Sequence, residues 1–173
     1  WDSRPMDYLT GDERIAGSGN WKSKTFSSFS NFSIPNLVEI GERGMLEEAS
    51  IVRDYMQQGA HFYPMWKVRS ELGIAGLCEE LHHAYQGTDD VYVHFAMDVL
   101  GGAGPAPGDI LGELAEPMGM SDYEIIRLAH EIGKRGLTGM SFICIPPGSM
   151  VTYRLIVYII AFLIAGLALS RGD

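Results

Sequence analysis

The run Glu79-Glu80-Leu81-His82-His83 holds the densest group of chemistry-bearing side chains in the sequence. On a helix Glu79 and His82 stand three residues apart, as do Glu80 and His83, so each pair shares a face. Glu-x-x-His is how one helix offers two ligands to a di-iron or di-manganese centre. Such a centre in a four-helix bundle also needs a second Glu-x-x-His and two more glutamates, and no second copy of the pattern occurs. Ordinary pairing on a helix surface is therefore expected, with no metal site. His61, His94 and His130 are further imidazoles whose distances the sequence leaves open. His94, in an apolar run, reads as a core histidine or as an axial ligand for haem or chlorophyll. Cys78 precedes His82 by four residues, a thiol–imidazole spacing that a small buried cysteine explains equally well. Cys78 and Cys144 lack any Cys-x-x-Cys spacing and permit one disulfide without specifying it.

Other catalytic signatures are missing. No Gly-Lys-Ser or Gly-Lys-Thr closes a glycine-rich turn, and no Gly-x-Ser-x-Gly is present. The glycine-rich stretch from Gly101 to Gly108 lacks the strand and helix of a dinucleotide site. The expectation is a chain with no catalytic residue and no cofactor of its own, and at most contacts to neighbouring pigments or lipids. The formal charge of −9 excludes the clustered cations that nucleic-acid binding requires. Eleven Asp or Glu and no Lys or Arg lie between Ser70 and Ile126. That makes a solvated acidic face or a surface for a basic partner.

The elements that would carry these residues read as mainly α: a small helical extramembrane domain with an extended N-terminal arm and one C-terminal transmembrane helix. Residues 1–35 form the arm, rich in Ser, with Phe26, Phe29 and Phe32 at every third position as candidate partner contacts. Residues 36–145 form the α-rich domain. In it Met45, Ala49, Val52 and Met56 share one helical face. Pro64 opens a second helix whose apolar face is Val68, Leu72, Ala75, Leu81 and Tyr85, closed by Gly87. Val91–Leu100 alternates as a strand would, but no comparable strand exists to pair with it, so a buried helix is expected. Asp109–Glu116 reads as a short helix. Ser121 and Glu124 form a capping box for another that runs through Lys134. Residues 146–150 are a Pro-Pro-Gly elbow.

The segment 151–170 is expected to cross a membrane. Leu155–Leu169 carries no charge. The nineteen residues from Val151 to Leu169 would span about 28 Å as a helix, close to the hydrocarbon thickness. Tyr153 and Arg154 suit the interface, the arginine by extending its guanidinium to the headgroups. Ala161, Ala165, Gly166 and Ala168 offer a small-residue side for helix packing.

From Ala103 to Gly136 the chain resembles ascorbate-type haem peroxidases near the helix that holds the proximal haem histidine. Met118-Gly119-Met120-Ser121-Asp122, Glu124-Ile125, and Ala129-His130 with Gly133 carry the likeness. An upstream Arg-x-x-Trp-His is missing. That family has members anchored in thylakoids by a C-terminal helix, so the resemblance implies a photosynthetic host membrane.

The function expected is that of a non-catalytic, single-pass accessory subunit of a large membrane complex, a photosystem before a respiratory one. Its partners would be other subunits and the lipid bilayer, in a thylakoid or mitochondrial inner membrane. Two alternatives stand beside it. One is a membrane-anchored haem or metal redox protein using His130, His83 and Glu80, a degenerate peroxidase-like chain. The other is a tail-anchored adaptor for a basic soluble partner.

Overall fold

The computed structural model describes residues 30–43, 49–101, 118–145 and 147–172. Phe26, Phe29, Met45, most of the glycine-rich stretch, the Asp109–Glu116 helix and Pro146 lie outside the described residues, while Phe32 is half-buried. In chain order the elements are β1 (Val38–Ile40), α1 (Ala49–Gln57), β2 (His61–Tyr63) and α2 (Met65–Lys67). A π-helical turn, Val68–Leu72, then leads to α3 (Gly73–Glu80), α4 (His82–Tyr85), β3 (Tyr92–Ala96), α5 (Asp122–Arg135), β4 (Gly139–Ile143) and α6 (Met150–Arg171).

The mainly α expectation is overturned by four strands in two parallel pairs, β1 with β2 and β3 with β4. Parallel strands need a crossover, and α1 lies between the first pair in sequence and α5 between the second, so each pair is a βαβ unit. Tyr92–Ala96 is a strand because its partner lies 47 residues on, at Gly139–Ile143. Thr138 N donates to Val91 O at 2.8 Å and sets that register. Phe95 and Phe142, opposite each other, stack with centroids 5.0 Å apart. His94 is exposed, with Nδ1 2.7 Å from Ser141 Oγ, so it is not a core histidine.

Helical patterning is borne out in part. α1 buries Tyr55 rather than Met56, which is exposed. The helix after Pro64 is broken by the π turn and by Gly73, whose φ is +63°. Val68 and Leu81 are buried, whereas Ala75 is exposed. The capping box at Ser121 and Glu124 is present, and α5 ends at Gly136 with φ +93°.

The core lies between the strands and α5. Leu77, Phe95, Met97, Ile125, Leu128, Ala129 and Ile132 are buried there. Each large side chain so buried is worth about 1.5–3 kcal/mol. Arg135 donates to Cys78 O at 3.1 Å, and Tyr85 OH donates to Gly136 O at 2.9 Å, tying α3 and α4 to the end of α5. No disulfide joins Cys78 and Cys144.

By length and composition α6 could cross a membrane. In this fold one face of it packs on α5, while Val157, Tyr158, Phe162, Ile164 and Leu169 are exposed. Thr152, Ile159, Leu163 and Gly166 are buried along that seam. Gly166 meets the α5 backbone, while Ala161 and Ala165 are exposed and Ala168 is half-buried. Arg154 is exposed, and Tyr153 OH accepts from Gly148 N at 2.9 Å, bracing the start of the helix against the elbow.

Candidate functional site at the carboxyl ends of the strands

In open sheets of parallel strands, ligands bind beyond the carboxyl ends, where loops and helix starts converge. Here those ends carry Gly41-Glu42-Arg43 after β1, Met97-Asp98-Val99 after β3, and Cys144 after β4. Arg43 brings the first two together. Its Nη2 donates to Asp98 O at 2.5 Å, and its Nη1 to Val99 O at 3.2 Å and to Gly41 O at 3.1 Å. A planar fork with several donors suits such carbonyl clamping, and lysine could not reproduce it.

Close approach at this edge explains Gly41, whose φ is +99°. A Cβ there would collide with the Val99 side chain. Both carboxylate oxygens of Glu42 are withdrawn from solvent, and its carbonyl accepts from Met65 N at 2.8 Å, which joins the end of β1 to the chain leaving β2. Cys144 holds φ +54°, a conformation that costs a non-glycine residue energy and recurs at functional sites. It follows Ile143, the partner of Ala96, and so lies level with the end of β3. The Arg43 guanidinium thus joins the backbone that follows β1 to the backbone that follows β3, and Cys144 comes next to the strand end that pairs with β3. A half-buried Asp98 at such an edge is of the residue type that takes protons from water or binds cations.

None of these residues was singled out from the sequence except Cys144. The available signal was Gly-x-Arg after a short β-branched run, which acquires meaning only when that run is known to be a strand end.

The sequence candidates fall elsewhere. Glu80 and His83 do pair, with 3.3 Å between Oε2 and Nε2, and Tyr63 OH donates to the same Glu80 oxygen at 2.5 Å. That hydrogen bond, more than the nearby imidazoles, holds the Glu80 carboxyl below its ordinary range. His61 joins this group, its ring stacked on His83. His130 is not part of it and instead meets Phe162 of α6 edge-on at 6.2 Å. The trio His130, His83 and Glu80 is therefore not a site.

A model of the arginase family matches residues 9–164. No curated protein matches the chain by sequence. Among solved structures, formimidoylglutamase from Bacillus subtilis is similar with TM-score 0.69 and 20% identity, over 80% of this chain and 43% of that one. Trypanosoma cruzi formiminoglutamase with Mn2+ gives 0.68 and 20%, over 84% and 48%. Proclavaminate amidino hydrolase from Streptomyces clavuligerus gives 0.67 and 23%, over 80% and 45%. The chain thus spans about half the length of these structures.

These findings correct the functional expectations. The match to the arginase family overturns the reading of a non-catalytic accessory subunit of a photosystem in a thylakoid. The peroxidase-like stretch lies inside the family match and belongs to a different fold. The match also runs to residue 164, well into α6, so this apolar helix is part of the domain and not evidence of a single-pass organellar membrane location. With a family model covering most of its length, this chain belongs to the arginase family.

Proposed function

We propose that the chain contributes the carboxyl-edge portion of a hydrolytic site that cleaves carbon–nitrogen bonds in amidine-type groups, formimino or guanidino. The observation that carries this reading is that Arg43, after β1, binds the backbone carbonyl of Asp98, after β3, and so joins the carboxyl ends of two parallel strands in a member of the arginase family. An amidine carbon is attacked by water, and a carboxylate at the strand ends is suited to accept the proton. Arg43 is a positioning residue, since its fork is committed to the carbonyls of Gly41, Asp98 and Val99.

The Trypanosoma cruzi relative bears Mn2+. Among the described residues no three His, Cys, Asp or Glu are grouped to hold a metal. These residues do not fit a metal centre by themselves, and we derive no step through one.

The test is an assay of the full chain with N-formiminoglutamate and with a guanidino acid, with and without added Mn2+, following the freed amine. Turnover that falls by about a hundredfold or more in Asp98→Asn supports the reading. Turnover unchanged in that variant, or none with either substrate from a folded chain, overturns it.

A further inference from the structure

We propose that His61 and His83 form a proton-controlled latch, holding β2 against α4 while the stack carries at most one charge and releasing it when both imidazoles are charged. The two rings stack with centroids 3.6 Å apart and planes 13° from parallel. His82 lies beside the stack, tilted at 3.9 Å from His83, with its Nδ1 2.9 Å from Glu79 O. Glu80 of α3 is paired with His83, and Tyr63 of β2 already donates to the same carboxylate oxygen. Lys67 of α2 sits over the Tyr63 ring at 4.9 Å. These are the titratable and charged groups that face the pair.

The geometry distinguishes protons from metal. The lone pairs of an imidazole lie in its ring plane, so near-parallel stacked rings do not aim them at one point, as shared coordination requires. One imidazolium is tolerated, because Glu80 lies beside His83. A second would place two like charges face to face with, among the described residues, no second carboxylate paired to the stack.

Burial, then the neighbouring His83, holds His61 below the usual histidine range. The sign follows. A histidine lowered in the folded state binds fewer protons folded than unfolded. Its contribution is therefore present above about pH 6.5 and lost as pH falls below it.

What the latch holds is specific. Asn36 Nδ2 donates to His83 O and to Gln86 O, both at 2.8 Å, so α4 is tied to the segment entering β1 as well as to β2. β2 in turn leads to Met65, whose N–H is bound to Glu42 O at the carboxyl edge. Opening the stack would loosen one wall of that edge. The latch does not depend on which reaction the edge performs.

The experiment is an NMR titration of the imidazoles in the full chain, with amide exchange measured at Tyr63, Ala84 and Tyr85. The expected result is that His61 and His83 respond to each other in two coupled steps. Exchange at those amides, corrected for its intrinsic pH dependence, should quicken about tenfold between roughly pH 7 and pH 5. His61→Phe keeps an aromatic ring on His83 but removes the second charge, and should reduce that change to less than about twofold. Independent titration of the two histidines, or an undiminished change in His61→Phe, overturns the proposal. If that variant does not fold, coupling in the unsubstituted chain decides alone.

Discussion

Gly133 and Gly166 let α5 and α6 cross backbone to backbone. A Cβ on Gly166 would press on His130 O, stand 2.7 Å from Lys134 N and 3.0 Å from Gly133 C. One on Gly133 would press on Leu163 O and lie 3.0 Å from Leu163 C. The obstacles are backbone atoms, which no rotamer change can move. Gly133→Val and Gly166→Val should each cost about 2–4 kcal/mol, read as a fall in the midpoint of urea unfolding. Ala165→Val, on the exposed side of α6, should change it by less than about 0.5 kcal/mol.

The start of α5 depends on one cap. Ser121 Oγ accepts from Glu124 N, and the Glu124 carboxylate reaches back to Ser121 N at 2.7 Å. Arg69 from the π turn grips the same carboxylate at 2.9 Å and Gly119 O at 2.8 Å. Ser121→Ala should cost about 1 kcal/mol. Adding Arg69→Ala should give less than the sum of the two single losses, because the two share Glu124; a double-mutant cycle measures the difference.

Arg43→Lys tests the clamp at the carboxyl edge. One ammonium cannot replace two nitrogens that bond the carbonyls of Gly41, Asp98 and Val99. A loss of about 1–3 kcal/mol by chemical denaturation is expected, and Arg43→Ala should be no milder.

Met118 stands at φ +62° with its side chain exposed. Met118→Gly removes the steric cost of that conformation and should raise stability by about 1 kcal/mol in thermal unfolding. A fall would show that Met118 contributes more through its contacts than it loses in strain.

Alkaline stability should report on Tyr85. Burial pushes its phenol up to about 12, with Arg135 opposing and Glu131 adding to the shift. Since the folded chain keeps this proton longer than the unfolded one, the contribution is intact below about pH 10 and is lost on rising towards 12. Tyr85→Phe should flatten the pH dependence of the melting temperature over that window, at the cost of the bond to Gly136 O.

Local signals in the chain are readable wherever a residue's partner is close in sequence. The capping box at Ser121, the stop at Gly136, and the Glu80–His83 pair at i and i+3 are of this kind. The helix start at Pro64 and the long apolar helix near the C-terminus were likewise legible. The identity of that helix's neighbour was not. A helix apolar on every side suits lipid as well as a packed partner, and only the tertiary structure shows that its Gly166 side meets Gly133 of α5.

The strands were not legible in the sequence, for a physical reason. β1 and β2 have three residues each, too few to establish alternation, and β3 pairs with a strand 47 residues away. Parallel pairing leaves no hairpin signal between partners. Without the strands, the sequence holds no indication that Arg43, Asp98 and Cys144 share an edge. By itself the sequence determined the two ends of α5, the charge and the Glu80–His83 pairing, because the cap, the stop and the pair each depend on residues within about one helical turn of each other. Tertiary structure alone decided the sheet pairs, the gathering at their carboxyl ends, and the stacking of His61 on His83. Each joins residues brought together only when distant segments pack, and no local pattern encodes that distance.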